Sequence, residues 1–121
     1  MATFEINEKE YELKLTLKSV KYLNGLYQGG AFEMISHAMQ GDIETFIHII
    51  HAGLFHTKEN FPLKKIEAEV EKLIEKEEID LDYIIKACNE VVVDSFFYKK
   101  TVDKLFEENK EAKKALEMLT K

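Results

Sequence analysis

Asp42-Ile43-Glu44-Thr45-Phe46-Ile47-His48-Ile49-Ile50-His51-Ala52-Gly53-Leu54 is the segment that organises this chain. Ile43, Phe46, Ile47, Ile50 and Leu54 recur at helical spacing and make one narrow apolar stripe. Asp42, directly after Gly41, places a carboxylate where the first turn of a helix has free N–H groups. The pattern predicts a central core helix, around which the rest of the chain must pack.

Toward the N-terminus, a second helix is predicted from about Phe32 to Gln40, stopped by Gly41. Before it, Ser19 suits the cap of a short helix through Tyr27, ended by Gly29-Gly30. Earlier still the period changes to two. Phe4 and Ile6 share one parity, a polar tetrad Asn7-Glu8-Lys9-Glu10 follows, and Tyr11, Leu13, Leu15 and Leu17 then alternate with Glu12, Lys14, Thr16 and Lys18. That is a β-hairpin within residues 1–18, apolar on one side. A lone hairpin is marginal in water, so it must lie on helices or join another chain's sheet.

Toward the C-terminus, Thr57 to Pro62 is a break, and Pro62 suits the first turn of a helix. Leu63, Ile66, Val70 and Leu73 then mark a surface helix with one seated stripe. Asp80 caps the longest helix, from Leu81 to about Lys99, with Leu81, Ile84, Ile85, Cys88, Val92 and Phe96 in line. Residues 101–106 continue or restart it. The expected architecture is mainly α with a short N-terminal β-hairpin (α+β), a bundle of about five to six helices. Residues 1–106 are expected to form one domain, and 107–121 a charged tail or docked helix with a thin stripe of Ala112, Leu116 and Leu119.

Composition narrows the function. The 121 residues are 45% hydrophobic, enough to fold as one domain and too few for two. No apolar run approaches the roughly 18–20 residues of a membrane span, and no secretory signal is visible. The single cysteine, Cys88, fits a reducing cytoplasm. All 17 basic residues are lysine, against 23 acidic ones, for a net charge of −6. Arginine is the usual clamp for phosphate and guanine, so nucleic acid is a poor partner for this chain. A helix–turn–helix reading of residues 32–54 fails for the same reason: its recognition helix would open with Asp42 and Glu44.

Catalytic signals are thin. Gly25 and Gly29-Gly30 lack the Gly-Lys-Ser/Thr of a phosphate loop, and Ser19, Ser36 and Ser95 sit in no nucleophile elbow. Cys88 lies mid-stripe, where a thiol is inert. Glu44, His48 and His51, with His56 nearby, share a helix flank and in principle face one metal ion. They lack the His-Glu-x-x-His order of a zinc hydrolase, and a Glu–His pair on a helix face explains them more simply. No enzyme activity, metal or cofactor is expected. What remains is surplus apolar surface. Tyr83, Val93 and Phe97 lie off the main stripe of the long helix, and Phe4 and Tyr11 sit on the hairpin. These five are the candidate protein-binding residues, burial within the same chain being the alternative.

The order of these features resembles the tail assembly chaperones of siphophages infecting low-GC Gram-positive bacteria. The resemblance rests on the hairpin Phe4-Glu5-Ile6-Asn7-Glu8-Lys9-Glu10-Tyr11-Glu12-Leu13-Lys14-Leu15 and the helix Ser19-Val20-Lys21-Tyr22-Leu23-Asn24. It continues through the helix opened by Gly41-Asp42 and ended by Ala52-Gly53-Leu54, and extends to about Lys100. It implies a non-catalytic protein in the host bacterial cytoplasm, absent from the mature virion. Such a protein binds the tape measure protein, keeps it soluble and self-associates. It recruits tail tube subunits through a longer frameshifted form. A small acidic adaptor or inhibitor, binding a host protein one-to-one, is the alternative.

Overall fold

The computed structural model describes residues 2–93, 95 and 97–108, with the side chains of 93, 101 and 105–108 left aside. Within this span two strands and six α-helices follow one another in the order β1 (Thr3–Ile6), β2 (Lys9–Glu12), α1 (Leu17–Asn24), α2 (Gly30–Met39), α3 (Ile43–Gly53), α4 (Leu63–Glu75), α5 (Leu81–Cys88) and α6 (Lys99–Glu108). The protein is mainly helical with an N-terminal antiparallel hairpin, as the periodicity predicts.

The hairpin turns on two residues, not four. Ile6 pairs with Lys9 and Phe4 with Tyr11, leaving Asn7 and Glu8 as the loop. Both have positive φ (52° and 67°), as the commonest two-residue hairpin turn requires. Asparagine tolerates that conformation; a glutamate there is unusual. The chain leaves β2 at Glu12, so Leu17 is not on the hairpin's apolar face. It opens α1 instead, and is 70% exposed.

Thr16 caps α1, not Ser19. Thr16 Oγ1 accepts from Ser19 N at 3.2 Å while Ser19 Oγ accepts from Thr16 N at 3.0 Å, a reciprocal capping box. Ser19 Oγ also donates to Ala52 O at 2.7 Å, which ties α1 to the end of α3. Asp42 caps α3 as predicted, accepting from Thr45 N at 3.1 Å and Thr45 Oγ1 at 2.7 Å. Thr45 Oγ1 in turn accepts from Tyr27 Oη, whose ring stacks on His37.

Helix α3 is buried over more than its stripe. Thr45, Phe46, Ile47, Ile49, Ile50, Ala52 and Gly53 are all buried, because α1, α2, α4 and α5 each pack on it. Ile43, at its first position, is half-exposed instead. A core of Phe4, Ile6, Leu23, Met34, Ile35, Phe46, Ile50, Ile66, Val70, Cys88, Val92 and Tyr98 joins hairpin and helices. Burial of each such side chain contributes about 1.5–3 kcal/mol.

The long helix predicted from Leu81 to Lys99 is broken. It runs as α5 to Cys88 and passes into a π-helical turn over Asn89–Val93. Among the described residues α-helix is next found from Lys99. The widened turn resets the helical phase, which brings both Val91 and Val92 into the core. Tyr98 then seals the start of α6: its hydroxyl donates to Asn24 Oδ1 at 2.9 Å. Phe96 and the tail stripe of Ala112, Leu116 and Leu119 lie outside the described residues.

Candidate protein-binding surface

The five residues singled out from sequence have different fates. Phe4 is 4% exposed and its side chain is part of the core; its only open part borders the groove between the hairpin and α4. Tyr11 is half-buried, its ring edge-on to Phe61 at 5.2 Å with Lys9 over it. Tyr83 and Phe97 stay open, at 40% and 60% exposure. Tyr83 leans edge-on against Phe46 at 6.4 Å and Phe97 against Tyr98 at 5.2 Å, so each is anchored on one side and bare on the other. The side chain of Val93 lies outside the described part. Sequence reading missed Leu81, which the periodicity placed in the core stripe and which is 57% exposed. It sits beside Gly41 in the turn between α2 and α3.

A groove of about 680 Å³ runs between the hairpin and the C-terminal half of α4. Thr3, Phe4 and Glu5 line one side, Leu73, Ile79 and Tyr83 part of the other. Three consecutive strand residues along a groove mean that it faces the strand's edge, since a sheet face would present alternate residues. The wall is acidic: five carboxylates line it against two ammonium groups. Lys65 Nζ holds the far end by donating to Asn7 Oδ1 at 3.1 Å. The same lysine binds Glu69 Oε1 at 2.9 Å, and that contact chiefly holds the Glu69 carboxyl below the usual carboxylate range. No sequence signal pointed to this groove, because it exists only where α4 passes the hairpin.

The two edges of the hairpin differ. The outer edge of β2 is covered: His56 Nε2 donates to Glu12 O at 2.7 Å, and just beyond the strand Lys14 N donates to Gly53 O at 2.9 Å. The sheet has only these two strands, so among the described residues no strand pairs with the outer edge of β1.

The histidine flank does not come together as a metal centre. Among the described residues no group of three His, Cys, Asp or Glu side chains lies close enough to hold an ion. His48 Nδ1 is instead hydrogen-bonded to Tyr22 Oη at 2.6 Å. His51 packs edge-on against Tyr22 and Phe55. Burial, then the charges of His48 and Lys18, pushes its imidazole below the ordinary histidine value. These rings are an aromatic clasp between α1 and α3. Cys88 is fully buried, and burial followed by the nearby Asp42 charge pushes its thiol up to about 12.

Among the described residues, fold and surface together define a mainly helical protein with a packed core, bare anchored aromatics and an open edge on β1. A family model described as phage tail assembly chaperone protein, TAC, matches residues 3–107, and the chain belongs to that family. No curated protein and no solved structure matches it. Among the described residues, no helix is long and apolar enough to cross a membrane.

Proposed function

We propose that this protein binds the tape measure protein during phage tail assembly in the host bacterial cytoplasm, and leaves before the virion is complete. It keeps that long client soluble and extended, performs no catalysis, and takes part in recruiting tail tube subunits through a longer form of the same chain. The observation that carries the reading is membership of the tail assembly chaperone family over residues 3–107. Bare apolar side chains at Leu81, Tyr83 and Phe97 support it, since a holding protein needs apolar surface that its own fold does not consume. The net charge of −6 keeps such a surface from driving aggregation. Many copies, each contributing a weak contact, cover a long client by avidity, and weak single contacts let tube subunits displace them.

The test is co-expression with the tape measure protein of the same phage, followed by light scattering on size-exclusion fractions. One soluble complex holding many copies per client is expected. Tyr83→Glu and Phe97→Glu should reduce client recovery while leaving the melting curve of the isolated protein in place. A monomer beside an insoluble client would replace this reading with that of a one-to-one adaptor.

A further inference from the structure

The open edge of β1 has a definite chemistry. In the hairpin register, Phe4 and Ile6 exchange backbone hydrogen bonds with Tyr11 and Lys9, so the N–H and C=O groups of Thr3 and Glu5 point outward, into the groove. Glu12, the partner of Thr3, points its own groups outward on the other edge, and there His56 Nε2 meets its carbonyl. No such partner meets Thr3 or Glu5 among the described residues. Natural sheets normally cover or bend an edge like this one. Here one edge is capped and the other faces a groove large enough to take part of a further strand.

Charge selects the occupant. Glu5 stands directly across from Glu10, a like-charge pair that costs stability in the free hairpin. Both line the groove, with Glu8 at the turn and Glu78 opposite. A second copy of β1 added to this edge would set two such glutamate rows side by side, which is unfavourable. A lysine-bearing strand would neutralise them. Alternation fixes the rest of the pattern: residues of an added strand next to Thr3 and Glu5 share their solvent face, and those next to Phe4 share the inner face, toward Leu73 and Ile79.

We infer that β1 is a docking edge for an extended segment of a client protein, with lysines alternating with apolar residues, which adds as a third strand in the groove against α4. The inference deepens the proposed function and rests on the reading that the chain binds protein clients. Backbone hydrogen bonds to Thr3 and Glu5 supply affinity, and the glutamate row supplies the preference for lysine.

The experiment uses the isotope-labelled full chain and three synthetic probes: a capped alternating lysine–valine hexapeptide, its glutamate–valine counterpart, and the lysine peptide with alternate amide nitrogens methylated. The lysine peptide is expected to slow hydrogen exchange of the Thr3 and Glu5 amides by about tenfold or more and to bind more weakly as salt rises. Methylation, which removes strand donors but keeps the charge, should lower affinity about tenfold, as should Glu5→Lys in the protein. A melting curve confirms that Glu5→Lys folds; Glu10→Lys is the second variant. Equal binding of the methylated peptide would reduce the effect to charge attraction and overturn the proposal, as would equal binding of the glutamate peptide. Protection of Thr3 and Glu5 by self-association without peptide would assign the edge to a second copy and overturn it too. If the peptides fail while the client complex still forms, the edge is wrong and the chaperone reading stands.

Discussion

Gly41→Ala should be among the most damaging small substitutions in this protein. Gly41 adopts φ +77°, and a Cβ there would lie 2.6 Å from Leu81 Cδ1 and 2.9 Å from Ile85 Cγ1. Two costs add. The left-handed backbone costs an alanine about 1–2 kcal/mol. The contact adds to this: Leu81 is bare and swings aside, whereas Ile85 is buried in the core and has nowhere to go. Overpacking of this kind costs about 1–3 kcal/mol. The structure supplies its own control, since Gly30 has φ +65° and nothing within 4 Å of its Cβ position. Gly30→Ala should therefore lose only the backbone part, about 1–2 kcal/mol, and Gly41→Ala about 2–5 kcal/mol. Equilibrium urea unfolding followed by circular dichroism, with unchanged slopes, gives both values. If the two variants agreed within about 0.5 kcal/mol, α5 would not be pressed against the turn between α2 and α3, and the packing reasoning would fail.

Ser19→Ala removes the buried hydroxyl that meets Ala52 O and Thr16 N; a loss of about 2 kcal/mol is expected from the same unfolding measurement, more than an exposed cap costs. Glu8→Gly relieves a left-handed glutamate at the hairpin turn and should raise stability by about 0.5–1 kcal/mol, which a thermal melt resolves. Stability should also fall at high pH. The folded-state values of the Cys88 thiol and the Tyr98 phenol are both raised to about 12, from 9.0 and 10.0, so the unfolded chain releases these protons first. Their contribution is complete below pH 9 and is lost as pH rises toward 12; Cys88→Ala should remove the earlier part of that decline. A pH-independent unfolding midpoint across this range would show that neither group is buried as described.

Much of the fold was legible because it is local. The stripe from Phe46 to Leu54, the Asp42 and Asp80 caps and the period-two hairpin each declare themselves within one or two turns of chain, where spacing and capping chemistry decide the outcome. The order of those local units was enough to suggest the family that the comparison then confirmed. Tertiary structure decided what depends on neighbours. It sent Phe4 into the core and left Leu81 bare, although both belong to sound apolar patterns, because periodicity shows which side of an element is apolar but not how far the covering layer extends. It turned the long helix π-helical at Asn89–Val93, where the sequence has no glycine or proline to mark a break. It gave His48 a hydrogen-bond partner in Tyr22, and among the described residues it gathered no metal-holding group on that flank. And among the described residues it left the edge of β1 open beside α4: the sequence names the strand, but only packing between distant segments, such as Asn7 and Lys65, determines which of its edges is covered.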